Sequence, residues 1–292
     1  MIKFSSTARP ALRKNALVPR APRALVWGTA WLLPLACAAF LGPVCFAEGE
    51  SSRSIDVGSL PATVVDEVVV PVPTEVFGVL DKLGSPNWHD VLRPVKTENL
   101  GKRPQVALLL GATIAEGFIA VEAQEAEEVK KIGRQVLSLS KAIGVQKSVI
   151  SRTSSIIEAA DKKDWQTIRR EFDGASKDVK QAMVELEDAQ LAQLVSLGGW
   201  LRGTEALTQV VGKNYTKDGA ELLHQPVIAE YFQRKLDTLN PRLKGSTVVK
   251  KISRRLRELH TLIEPVGGVS PQKVEKIHSI TAELVQAISS QD

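Results

Sequence analysis

Residues 104–121 read PQVALLLGATIAEGFIAV, and this stretch decides the fold. Pro104 suits the first turn of a helix, where its missing N–H costs nothing. At 100° per residue, Leu110, Ile114, Phe118 and Val121 share one side, and Val129, Ile132, Val136, Leu139 and Ile143 continue it. The spacing predicts one long helix from Pro104 to about Gly144. Its first half is apolar nearly all round, with Glu116 the exception, so it should be buried on several sides. It is short and interrupted for a membrane span. Gly111, Ala112, Ala115 and Gly117 would let a neighbouring backbone come close. A central helix of a bundle is the expectation.

The same periodicity runs on towards the C-terminus. Gln146 to Ala160 carries Val149, Ile150, Ile156 and Ile157. A turn at 161–164 leads to a short helix marked by Trp165, Ile168 and Phe172. From Ser176 to Arg202, the residues Val179, Met183, Leu186, Leu194, Leu197 and Leu201 follow a three–four spacing. Gly198-Gly199 is expected to bend that helix. Asn214 to Leu239 reads as a helix kinked by Pro226. Val248, Ile252, Leu256, Leu259 and Ile263 stripe the next one. A loop at 265–268 precedes Ser270-Pro271, a cap and first-turn proline for a last helix with Val274, Ile277, Leu284 and Ile288. The pattern predicts an all-α, multi-helix bundle of about six to eight helices, some short or kinked, with an extended N-terminal arm. The sequence shows no internal repeat.

Upstream, Thr74 can cap a short helix with Val76, Phe77, Leu80 and Leu83, and Ser85-Pro86 starts another towards Trp88 and Val91. Residues 48–73 look like an arm: Ser51, Ser52, Ser54 and Gly58 keep it polar, and Val68, Val69 and Val70 run into Pro71 and Pro73. Residues 1–47 hold Lys3, Arg9, Arg13, Lys14, Arg20 and Arg23, with no acid. An apolar run from Ala24 to Phe46 follows the basic part. The order of parts is that of a secretory signal, cut after Ala47. An uncleaved anchor, a lipoprotein cut at Cys37 and an organelle transit peptide compete with it. The domain expectation is therefore 1–47 signal, 48–73 arm and 74–292 helical domain, divisible at 74–212 and 213–292. The protein would be periplasmic or extracellular, or tethered by an uncleaved leader.

Charge is unevenly placed. The chain of 292 residues has a formal net charge of +5. Without the six leader cations, 32 basic residues face 33 acidic ones. A near-neutral domain has no bulk electrostatic reason to bind nucleic acid. Both cysteines, Cys37 and Cys45, lie in the leader. A chain cut after Ala47 has no thiol for a disulfide, a metal or a covalent intermediate. No phosphate loop, nucleophile elbow or zinc signature occurs, and no cofactor is expected.

Three sets of residues stand out. Glu221/His224 and Glu275/His278 have the Glu-x-x-His spacing of di-iron bundles, with Glu116, Glu122 or Glu125 and Glu185 as possible further ligands. On the last helix, however, Glu275 falls about 150° from the apolar stripe. Glu125, flanked by Gln124 and Glu128, interrupts the apolar side of the long helix, and Gln190 interrupts the stripe between Leu186 and Leu194. Such gaps could face each other across a wet pocket for a small ligand, or mark where a helix leaves the core. Arg242, Lys244, Lys250, Lys251, Arg254, Arg255 and Arg257 form a basic stretch without an acid before Glu258. Lys250, Lys251, Arg254 and Arg255 could meet an anionic surface, or be an ordinary solvated face. The stretch has no aromatic residue for base stacking. Trp88, Trp165 and Trp200 read as core residues. The functional expectation is an exported helical interaction or structural module without enzymatic activity, bound to a protein partner or to itself. The alternatives are a periplasmic binding protein for a small or apolar ligand and, further off, a di-iron-type metalloprotein.

Overall fold

The computed structural model describes residues 86–94, 101–263 and 268–290, and the backbone of 62–65 and 68–71. All of them belong to one compact unit, 52–292. The leader, most of the arm, the Thr74 helix and most of the 265–268 loop lie outside the described residues.

The protein is an all-α helical bundle. Helix α1, Arg103–Glu122, is its centre, and Val106 to Val121 are buried along its whole length. By length and apolarity α1 could cross a membrane, yet 94% of its most apolar stretch is covered by the protein itself. Three further helices follow it, α2 (Ala126–Ala142), α3 (Gln146–Asp161) and α4 (Trp165–Glu185). Each packs on the one before, and α4 returns to α1, closing an up–down–up–down four-helix bundle. Arg169 at the start of α4 holds Glu122 at the end of α1 through two hydrogen bonds of 3.0 and 3.1 Å.

The corners that end these four helices share one design. At each, an N–H bonds the carbonyl five residues back: Glu125 to Ala120, Val145 to Ser140, Asp164 to Ala159 and Asp188 to Met183. This 6→1 bond is the Schellman stop, and it needs a left-handed residue before the donor. Gly144 supplies it at one corner with φ 87°, but Gln124 (56°), Lys163 (54°) and Glu187 (59°) supply it at the others.

These corners divide two segments whose apolar spacing reads as continuous helix. The helix expected over 104–144 is two, divided at Gln124. The helix expected from Ser176 to Arg202 is also two. One apolar stripe runs from Ile168 through Phe172 to Met183, so α4 begins at Trp165. The break comes at Leu186, Glu187 and Asp188, where no Gly or Pro stands. Leu186, placed on the stripe by its spacing, is 55% exposed as a result.

Helix α5, Ala189–Lys213, runs parallel to α1: Arg103 pairs with Asp188 at their starts (2.7 Å) and Glu116 with Arg202 further along. Glycines fix this approach. A Cβ on Gly111 would fall 1.8 Å from the Val195 carbonyl oxygen, and one on Gly198 would fall 1.9 Å from that of Leu108. Gly198 and Gly199 thus seat a neighbouring backbone within an unbroken helix, where a bend was expected.

The expected kinked helix over 214–239 is two separate pieces. Thr216 caps the single turn α6, Lys217–Glu221, by accepting from the Gly219 N–H. Pro226 then opens α7, Pro226–Asp237, as its first residue. Asn240 caps the turn α8, Pro241–Lys244, and α9 (Thr247–Ile263) packs on α7. Helix α10, Pro271–Ser289, lies antiparallel to α5 and returns to the start of α1, where Gln105 donates to the Ser290 carbonyl. One continuous apolar core links Trp88 to Ile288.

Two pieces precede α1. Ala62–Val65 (β1) pairs antiparallel with Val68–Pro71 (β2), Ala62 opposite Pro71, and β2 lies beside α7. Part of the expected extended arm is therefore a hairpin, with Pro71 at its outer end. Ser85 lies outside the described residues; Pro86-Asn87 leads into a 3-10 turn, Trp88–Val91, with Trp88 and Val91 buried.

Candidate functional site

The polar exception on α1 is the key to the interior. Glu116 is 1% exposed. Its Oε2 accepts from Arg202 Nε of α5 at 2.6 Å, and its Oε1 accepts from the Arg93 backbone N–H at 2.7 Å. Arg202 is equally buried and donates from Nη2 to the Val91 carbonyl at 2.6 Å. Its Nη1 lies 3.5 Å from Glu205 Oε2, an ion pair without hydrogen-bond geometry. The Arg93 guanidinium meets the other oxygen of Glu205.

Two carboxylates and two guanidiniums thus sit at the crossing of α1, α5 and the segment 86–94. Burial pushes the Glu205 carboxyl up from its ordinary value, although Arg202 and Arg93 pull it the other way. His278 of α10 faces the same cluster and shares a 3.2 Å hydrogen bond with Thr208. Only Arg93, with its side chain 35% exposed, reaches water from the cluster proper.

Acid–base chemistry needs a carboxyl that a substrate can approach. Glu116 and Glu205 offer none, since both are enclosed by helices and committed to guanidiniums. The cluster instead ties the 86–94 segment down. Outside it, the Gln209 amide donates to the Asp90 carbonyl (2.7 Å), Lys213 pairs with Asp90 (2.7 Å), and His89 meets Glu125 (3.1 Å). Sequence reading isolated Glu116 but missed Arg202 and Glu205. The available signal was Glu116 itself: a carboxylate on an apolar helix needs a buried cation on a neighbour.

The residues singled out from sequence are distributed as follows. Gln124 is the exposed left-handed residue of the first corner, Glu125 is half-exposed beside His89, and Glu128 pairs with Lys131 at 2.8 Å. Gln190 sits at the start of α5, where it bridges the Thr238 carbonyl and Asn240. Because α1 and α5 are parallel, Glu125 and Gln190 lie at opposite ends of the pair, about 30 Å apart at 1.5 Å per residue. The structure does not bring them together, and between them α1 and α5 touch backbone to backbone.

The Glu-x-x-His pairs are likewise apart from any shared centre. Glu221 and Glu275 are exposed. His224 Nδ1 is 2.9 Å from the Ile263 carbonyl, and His278 is held by Thr208. Both histidines are half-buried structural groups. Glu122 is taken by Arg169, and Glu185 accepts from Gln181 at 3.0 Å. Among the described residues no group of three His, Cys, Asp or Glu side chains could hold a metal ion.

The basic stretch divides into two sides. Lys251 and Arg255 face α10 and share Glu283, at 3.2 and 2.7 Å. Burial raises the Glu283 carboxyl, but the hydrogen bond from Lys251 and the charge of Arg255 outweigh it and hold the group below the ordinary range. Arg255 also pairs with Glu258. On the outward side Lys250 and Arg254 are exposed and make no ion pair among the described residues. Arg257 stands 3.8 Å from Asp237, Lys244 donates to the Asp237 carbonyl (3.0 Å), and Arg242 is exposed. Trp88 is buried, and Trp165 and Trp200 pack against the core. No protein-family model, curated protein or solved structure matches the chain.

Proposed function

We propose that this is an exported protein serving in the cell envelope as a structural or interaction module without catalytic activity. The observation that carries it is the sealed ion cluster. The charged residues at the heart of the molecule, Glu116, Arg202 and Glu205, are at most 2% exposed and spent on one another and on the 86–94 backbone. Their work is to hold a fold, which suits a scaffold that presents its surface to a partner or to a second copy of itself. Export rests on the leader: six cations, no acid, an apolar run and small residues before Glu48.

Native mass spectrometry of the protein isolated from its compartment tests both halves. The expected result is a chain beginning at Glu48, without small-molecule adducts, in a defined complex with itself or another protein. A metal or small molecule that leaves on denaturation would replace the module with a binding protein or metalloprotein. A mass that still includes residues 1–47 would replace release by tethering.

A further inference from the structure

We propose that the outward face of α9, together with α8, docks on a bilayer surface of anionic phospholipid headgroups. This names a partner for the interaction module and rests on that reading for its compartment. Lys250, Arg254 and Arg257 are all exposed and follow the i, i+4, i+7 spacing of one helix face, each about 5–6 Å from the next. Arg242 and Lys244, also exposed, precede them. The acid nearest to this helix on the α10 side, Glu283, is used up by Lys251 and Arg255. Lys250 and Arg254 are therefore surplus to the fold, and Arg257 comes no closer than 3.8 Å to its acid, Asp237.

Two observations favour a lipid surface over a protein. First, the exposed positions of α9 are Thr247, Lys250, Arg254, Arg257, Glu258 and Thr261. None is aromatic or aliphatic, so the face lacks the apolar anchors that fill pockets at the centre of protein interfaces. Its apolar side, Val248, Val249, Ile252, Leu256, Leu259 and Ile263, is wholly buried in the bundle. Contact would stay at headgroup level and be electrostatic. Second, residues 238–257 hold seven Lys and Arg and no acid. Five of them, Arg242, Lys244, Lys250, Arg254 and Arg257, are exposed, and taking those five from the 32 that follow residue 47 leaves 27, against 33 Asp and Glu. An anionic surface repels the remainder of the domain and attracts this face, which fixes the orientation of docking.

The test is flotation of the full chain with vesicles of phosphatidylcholine alone, and of equal parts phosphatidylcholine and phosphatidylglycerol. The expected result is a preference for the anionic vesicles that fades at high salt. The triple variant Lys250→Glu, Arg254→Glu, Arg257→Glu should lower the anionic partition coefficient on the order of a hundred-fold. A Gln triple should lower it less, and it serves where charge reversal disturbs folding. The leader is common to all chains, so the difference between them reads α9. Equal partitioning of wild type and both variants onto anionic vesicles overturns the proposal, as does equal binding of wild type to the two lipids. Either failure leaves the native mass result standing, so the two readings fall separately.

Discussion

Arg202 neutralises Glu116 and part of Glu205 at once, so its loss strands two buried carboxylates. Arg202→Met should destabilise the fold by about 3–5 kcal/mol in urea unfolding at neutral pH. The deficit should depend on pH in a defined direction. Glu205 already holds its proton above the ordinary carboxyl range because it is buried. Without the guanidinium, the Glu205 carboxyl moves further up, because the charge of Arg202 pulls it down. The folded variant then binds more protons than the unfolded chain, and its stability falls as pH rises. The deficit should be largest at neutral pH and shrink on acidification towards about pH 4.5, the range of a free carboxyl. A deficit that grew on acidification would contradict this account of the cluster. Of this site, only Glu116 was legible in the sequence. Arg202 ends a stretch of ordinary amphipathic helix in one dimension, and nothing local marks Glu205. Their pairing is set by how α5 lies on α1, a relation between residues 86 positions apart.

Helix faces were legible where apolar residues recur at helical spacing, as along α9 and α10, whereas on α3 the pattern also took in Ile150, which is 51% exposed. Helix ends were not, and the reason is specific. Three of the four Schellman corners use Gln124, Lys163 and Glu187 in the left-handed region in place of Gly. A non-glycine residue there costs about 1–2 kcal/mol locally and is held by the packing of the two helices it joins. Exposed Glu187 should therefore gain from replacement: Glu187→Gly is expected to raise stability by about 1 kcal/mol in thermal or urea unfolding. Gly144 shows the ordinary solution to the same turn. The glycines of α5 make a matched pair. Gly198→Ala places a methyl against the Leu108 carbonyl and should cost about 3 kcal/mol or more, since two backbones must separate. Gly203, a few residues on, has open space where a methyl would stand, with nothing within 4 Å, so Gly203→Ala should stabilise by about 0.5–1 kcal/mol. Equal effects at the two sites would show that the α1–α5 contact is looser than described.

At the scale of the molecule, the all-α class and the central place of α1 follow from the apolar run 104–121, which reads correctly because burial on all sides leaves no polar stripe. The order of packing was not legible, because parallel α1 and α5 are separated by three intervening helices. That order has a consequence for synthesis. α1 is finished at Glu122, but its largest partner is complete only at Lys213. At about 5–20 residues per second, the gap is roughly 5–18 s. For that time, a segment of membrane-spanning length is on offer to any insertion machinery, covered only as α2 to α4 arrive. An ionised side chain near the middle of such a segment adds about 3 kcal/mol to the cost of entering a bilayer. Glu116 thus makes the nascent helix a poor membrane client until Arg202 emerges to receive it.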